Sequence, residues 1–282
     1  MKETSEIWTK IGAFTFDFSR GEWQKVGTAV ESYGLELVQL SGELLDEVIE
    51  SPGKITAVRQ QLADHGITIT ALGAYRNLIA ANMEKRQHNI AYLKACLEQA
   101  NELGTAVVAT ETGTLHPTGD WSDTPENDTP AAWNALYDAL DELLPVAEKA
   151  QSFLALEGYV NNVLKRLDQV DQILRRYNSP HLKVMCDPYN YISKNLLPQS
   201  AQINDEFLNR FQHEFVIAHL KDVSAAGAEV DTPEFGTGVF PQERYIKFLK
   251  TQRPDLPLIF EHLPLAHMPT AVERLQTIAA EV

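Results

Sequence analysis

The sequence predicts an α/β fold, a single (β/α)₈ barrel over residues 1–282. Three observations carry that expectation. Eight short apolar runs alternate with eight helix-like segments. No low-complexity linker breaks the alternation, so one domain accounts for a length that could hold two. The last four runs each close on an acidic or imidazole residue: Glu157 in FLALEGY, Asp187 in LKVMCDPYN, His219 in FVIAHLKD and Glu261 in LPLIFEHL. These four lie roughly 30–40 residues apart, room for one strand, one helix and two loops, which is the repeat of such a barrel.

The strands follow from composition. Lys10–Phe16, Leu35–Leu40, Thr68–Leu72, Ala106–Thr110, Phe153–Leu156, Lys183–Cys186, Phe215–His219 and Leu258–Glu261 are rich in Val, Ile, Leu and Ala. Near-continuous apolar runs of this length suit parallel strands buried on both faces. Trp23–Tyr33 reads as a helix stopped by Gly34, Lys54–His65 as one that follows Ser51-Pro52 and stops at Gly66, and Lys85–Leu103 as one that stops at Gly104. Further helices are expected over Thr129–Ala150, Val163–Arg176, Asp205–His213, Pro241–Thr251 and Pro269–Ala280. Three long connections, Thr112–Asp128, Asp187–Gln199 and Asp222–Phe240, all follow strands and therefore fall on the catalytic face of the expected barrel.

Composition narrows the function. A net charge of −15 disfavours binding to a nucleic-acid backbone, which needs dense Lys and Arg. It does not argue against small ligands, because a bound metal reverses the local sign. Cys96 and Cys186 have no zinc-knuckle spacing and read as buried thiols of a reducing compartment. The N-terminal MKETSEIWTKIGAFTF lacks the apolar stretch of a secretion signal, and no run approaches the ~20 apolar residues of a membrane span. These features predict a cytoplasmic protein with no membrane or nucleic-acid partner, compatible with a homo-oligomer.

The four strand-end residues carry the chemistry. A charge that closes a buried strand is unfavourable unless paired or metal-bound. Four of them on successive strands point to one shared site. Three carboxylates and one imidazole make a hard donor set for one divalent ion, Mn²⁺ or Mg²⁺ first, Co²⁺ or Zn²⁺ as alternatives. Strand alternation places Ala155 and Tyr159 on the inward side with Glu157, turns Leu156 outward, and pairs Lys221 with His219. Gly158 and Ala218 leave room beside the ligands. A divalent ion that polarises a substrate carbonyl lets a neighbouring carboxylate remove a carbon-bound proton. Return of that proton to the adjacent carbon isomerises, and return to the same carbon from the other face epimerises. Lys221 either holds an anionic oxygen and assists proton transfer or forms an internal salt bridge, for example with Glu111.

With these residues marked, the chain resembles the xylose-isomerase-like superfamily of TIM-barrel sugar isomerases and epimerases over essentially its whole length. The markers are ETG at Glu111–Gly113, the strand-end Glu157, DPYN at Asp187–Asn190, HLKD at His219–Asp222, Gly-x-Gly at Gly236–Gly238 and the strand-end Glu261. The resemblance implies metal binding by Glu157, Asp187, His219 and Glu261, and proton transfer by Glu157 and Glu261. Many members place a His three residues after the metal-binding Asp. This chain has Asn190 there, so the substrate contacts of such members do not transfer wholesale.

Candidate substrate contacts surround this set. Tyr75, Arg76 and Asn77 follow the third strand. Arg76 either grips a phosphate or carboxylate or forms a surface ion pair. His116 and Trp121 lie in the loop after ETG, where Trp121 either covers a sugar face or pins the loop. Tyr159 and Asn190 adjoin proposed ligands, and Glu111 follows the fourth strand. Phe14 and Phe16 pack in the core or wall the site. Gly236 and Gly238 read as a tight turn rather than a phosphate cradle. The function expected is a metal-dependent isomerase or epimerase of a sugar, polyol or sugar phosphate acting through an enediolate. The alternative is a keto-polyol dehydratase of the same superfamily, similar to inosose dehydratase. An endonuclease IV-like nuclease would require extra histidines and a basic groove, whereas this chain shows four ligands and is strongly acidic, and retention of all four ligand types argues against a non-catalytic sugar-binding barrel.

Overall fold

The computed structural model describes residues 10–224 and 231–282. The stretch 1–9 and the middle of the third long connection, residues 225–230, fall outside the described residues. Eight parallel strands close a barrel in chain order: β1 Ile11–Phe14, β2 Leu37–Ser41, β3 Thr68–Gly73, β4 Val107–Glu111, β5 Phe153–Glu157, β6 Leu182–Cys186, β7 Phe215–Leu220 and β8 Leu258–Phe260. The helices among the described residues are α1 Trp23–Ser32, α2 Gly42–Glu50, α3 Ile55–Ala63, α4 Met83–Leu103, α5 Pro130–Ala150, α6 Leu167–Tyr177, α7 Ser200–Phe211, α8 Gln242–Gln252 and α9 Met268–Glu281. All eight expected strands are present. No helix among the described residues is long and apolar enough to cross a membrane.

Local chemistry sets the helix ends. Asn82 caps α4 by accepting from the Lys85 N–H at 2.8 Å, and Gly104 stops it in a left-handed conformation at φ 93°. Thr129 caps α5, with Pro130 at its first position. Three departures from the sequence expectation have local causes. Helix α2 occupies a stretch read only as connection; Gly42, at φ 64°, turns the chain directly from β2 into a helix that buries Leu44, Leu45, Val48 and Ile49. Helix α6 begins at Leu167 rather than Val163, because the Val163 N–H donates to the Gly113 carbonyl and the Leu164 N–H to Thr112 Oγ1. Helix α7 begins at Ser200, five residues earlier than expected, directly after a short 3₁₀ segment, Lys194–Gln199.

Two apolar layers form. The larger lies between strands and helices and includes Leu156, Val184, Leu220 and Leu258; Cys96 and Cys186 are buried free thiols within it. The smaller is the barrel interior: Phe14, Ala71, Tyr75, Ala109, Ala155, Met185, Ile217 and Ile259. Ala155, Met185, Ile217 and Ile259 each stand two residues before Glu157, Asp187, His219 and Glu261. Period-two alternation therefore carries all four donors to the interior, directly above this apolar floor. Gly12 lets β1 and β2 approach, since a Cβ there would sit 2.2 Å from the Leu37 carbonyl oxygen. Gly12→Ala should lower stability by about 1–3 kcal/mol through backbone displacement. A denaturant midpoint equal to that of the parent would remove this close approach as a determinant of the barrel.

Candidate metal centre

The C-terminal ends of β5 to β8 bring Glu157, Asp187, His219 and Glu261 together. All four are buried, and one donor atom from each lies within 4.8 Å of the others. His219 Nδ1 stands 3.1 Å from Asp187 Oδ2, 3.3 Å from Glu261 Oε2 and 3.6 Å from Glu157 Oε1. An octahedral ion with bonds of ~2.1 Å spaces adjacent donors at about 3 Å and opposite ones at about 4.2 Å, so the set is near the right size. The donor chemistry fits a hard divalent cation as well.

The charge balance fits too. Lys221 Nζ lies 2.8 Å from Asp187 Oδ2 and donates to Glu261 Oε2 at 2.6 Å and to Asn190 Oδ1 at 2.7 Å. Its ion pairs thus go to two of the proposed ligands rather than to Glu111. Burial would raise the Asp187 and Glu261 carboxyls, but Lys221 and His219 overcome it and hold both below their usual values. Glu157 is pushed up to about 7, by burial first and then by Glu261 and Asp187, with His219 opposing. Burial and the neighbouring Glu157 likewise raise Glu111 well above the usual carboxylate range. The carboxylates raise His219 despite its burial. Three buried acids and the half-buried Glu111 against one lysine and one imidazole form a centre whose protons a divalent cation can replace.

Other side chains orient the donors. Asn190 Nδ2 donates to Glu157 Oε1 at 2.5 Å, so Asn190 links Glu157 to Lys221. Tyr75 Oη donates to Glu157 Oε2 at 2.8 Å, and Gln39 Nε2 donates to Tyr75 Oη at 3.1 Å. Gln39 Oε1 lies 3.0 Å from His219 Nε2. Sequence reasoning missed Gln39. The available signal was an amide on the inward phase of the buried run LVQLS. Gly158 does not leave room for a ligand: a Cβ there would meet the Tyr191 hydroxyl at 2.2 Å, so its space is taken by Tyr191.

A cleft of about 600 Å³ opens over the centre. Glu111, Arg76, Trp121, Tyr159, Asn190, Lys221 and Glu261 all line it. Phe16 (51% exposed) and Trp121 (44% exposed) present apolar faces there, while Phe14 is buried and stacks on Phe16 at 5.0 Å. Glu111 Oε2 accepts from Asn162 Nδ2 at 2.6 Å. Asn77 and His116 are absent from the cleft wall. Asn77 Oδ1 accepts the Ile79 and Thr114 N–H groups, and His116 Nδ1 accepts that of Gly119 at 2.9 Å, so both brace loops. The Gly-x-Gly segment wraps the Asp222 carboxylate, which accepts the N–H groups of Gly236 and Gly238 at 3.0 and 2.9 Å. His262, also at the cleft, has a left-handed backbone at φ 53° beside Glu261.

Arg76 lines the cleft, yet its guanidinium is engaged elsewhere. It donates to Asp46 Oδ1 at 2.7 Å and to the Tyr75 carbonyl at 2.9 Å, and lies 4.2 Å from the Tyr92 ring centre. Arg76→Ala should therefore weaken KM for anionic and neutral substrates by similar factors. A loss confined to phosphorylated or carboxylated substrates would put the guanidinium on the substrate.

A family model described as xylose isomerase-like TIM barrel matches residues 12–278. Comparison with curated proteins gives no match. Among similar solved structures, the apo form of 3-keto-D-glucoside 4-epimerase YcjR from E. coli is 17% identical at a TM-score of 0.71, covering 95% of this chain and 99% of that one. A xylose isomerase-like TIM barrel protein from Mycobacterium smegmatis in complex with magnesium is 18% identical at 0.73, covering 96% and 97%. The probable 3-DHS dehydratase AsbF from Bacillus anthracis is 15% identical at 0.70, covering 96% and 97%. Identities this low speak to fold rather than to substrate.

Proposed function

The chain belongs to the xylose isomerase-like TIM barrel family, and from that premise we propose that it is a divalent-metal-dependent isomerase or epimerase of a sugar, polyol or sugar phosphate. The convergence of Glu157, Asp187, His219 and Glu261 under an open cleft carries the proposal. These four residues would hold one ion, Mn²⁺ or Mg²⁺ by their hardness. When bound, the ion supplies Lewis-acid polarisation of a carbonyl and its neighbouring hydroxyl. The rest of the chemistry belongs to this chain. Glu157 and Glu261, from strands three apart around the barrel, are the carboxylates that take and return a proton at carbon through an enediolate. Asn190 and Tyr75 hold the Glu157 carboxylate in place. Lys221 lines the cleft, and its ammonium ties Glu261 to Asp187 and Asn190, offsetting the negative charge gathered at the centre. Phe16 and Trp121 supply apolar faces for the carbon side of a polyol ring.

The test is a screen of ketoses, keto-polyols and their phosphates with Mn²⁺ in deuterated water. The expected outcome is an isomer or epimer with deuterium at the reacting carbon. A deoxy product would assign the chain to dehydration instead, as in the AsbF-type neighbour. Sugar binding without turnover or metal uptake would mark a binding barrel.

A further inference from the structure

We propose that Gln39 and Tyr75 form a polar relay that fixes which nitrogen of His219 faces the metal, and that Glu157 sets the direction of this relay. The inference rests on the metal-binding function proposed above. Four buried groups form one continuous path: Glu157 Oε2, Tyr75 Oη, Gln39 and His219 Nε2, with successive separations of 2.8, 3.1 and 3.0 Å. It joins two of the four donors through residues that are not themselves in the donor set.

Hydrogen-bond inventory fixes every direction along the path. As metal ligands Glu157 would be ionised and His219 neutral, and an ionised carboxylate can only accept. The single Tyr75 hydroxyl hydrogen is therefore committed to Glu157. The Tyr75 oxygen can then only accept from Gln39, so the Gln39 NH₂ end must face it. That turns Gln39 Oε1, which only accepts, toward His219. His219 Nε2 must therefore carry the hydrogen, and the lone pair of the neutral ring resides on Nδ1. Nδ1 is the nitrogen that faces Asp187, Glu157 and Glu261 at 3.1–3.6 Å. The carboxylate of one ligand thus specifies the tautomer of another across two intervening side chains. Gln39 and Tyr75 are positioning residues in this scheme: removing the Tyr75 hydroxyl frees the Gln39 amide to turn over, and removing the amide leaves Nε2 without an acceptor.

The experiment measures Mn²⁺ affinity by calorimetry, with no substrate present, for the parent chain and for Gln39→Leu, Gln39→Glu and Tyr75→Phe, each checked for folding by thermal melting. Loss of such an outer partner weakens metal affinity by roughly 10–100-fold, and that range is expected for Gln39→Leu. Gln39→Glu keeps an oxygen acceptor against Nε2 and should retain parental affinity or exceed it. Tyr75→Phe, which preserves the ring and all four donors, should lose at least severalfold. Parental affinity in folded Gln39→Leu and Tyr75→Phe would overturn the relay while leaving the metal centre standing. If Gln39→Leu fails to fold, parental affinity in Tyr75→Phe overturns it alone. A parent chain that takes up no Mn²⁺ would overturn the function proposed above, and the relay with it.

Discussion

Glu157→Gln and Glu261→Gln are each expected to lower turnover by about 100- to 10,000-fold at matched metal occupancy, the usual worth of a positioned acid or base. Both carboxylates belong to the donor set and both are buried. Each substitution preserves side-chain shape but removes the carboxylate proposed as a proton acceptor. It also weakens the metal, because a neutral amide is a poorer ligand for a hard cation. Occupancy must therefore be measured and restored before rates are compared. With that done, the two variants separate epimerisation from isomerisation. In an epimerase each surviving carboxylate still serves one face, so one variant exchanges solvent deuterium into one epimer and the other variant into the opposite epimer. An aldose–ketose isomerase can shuttle the proton with one base on one face and need not show that symmetry. Full activity of either variant with metal bound would remove that residue from acid–base chemistry.

The four donors were legible because each puts a charge where an apolar strand ends, and a parallel barrel turns such positions inward at its C-terminal rim. The strands were legible for the same reason. Helix α2 was not read, although its pattern of Leu44, Leu45, Val48 and Ile49 is helical, because it follows β2 through Gly42 with no intervening loop. Loop residues were harder, since their direction depends on partners far away in the chain. Arg76 has Asp46 as its partner, Asn77 has Thr114, and Lys221 has Asp187 and Glu261. Whether Arg76 faces substrate or Asp46 is decided by α2, the one helix the sequence reading omitted. The Gly-x-Gly role was half legible: a turn was expected, but the Asp222 carboxylate at its centre comes from the preceding strand's motif. Gln39 escaped because a neutral amide within LVQLS carries no charge to call attention to it.

If the centre holds its ion as proposed, stripping the ion is expected to abolish turnover and lower the melting temperature, and adding Mn²⁺ to restore both. A ligand at 100 times its dissociation constant adds about 2.7 kcal/mol to stability if it binds only the folded chain. For a domain of this size that corresponds to a rise of roughly 5–10 °C. The direction of the pH dependence follows from the buried acids. Glu157, pushed up to about 7 by burial and by Glu261 and Asp187, is protonated at lower pH, and so is His219, raised by the carboxylates around it. Both must give up a proton to bind the ion, so protons compete with Mn²⁺, and they compete more strongly below about pH 7, where Glu157 is protonated as well. The Mn²⁺-induced rise in melting temperature should therefore be larger at pH 8 than at pH 6, with proton release on binding that calorimetry detects through the ionisation enthalpy of different buffers. Asp187→Asn serves as the control, because it removes one hard oxygen anion and should remove most of the rise. Melting curves that coincide with chelator and with Mn²⁺, together with full turnover after chelation, would remove the ion from both the fold and the chemistry.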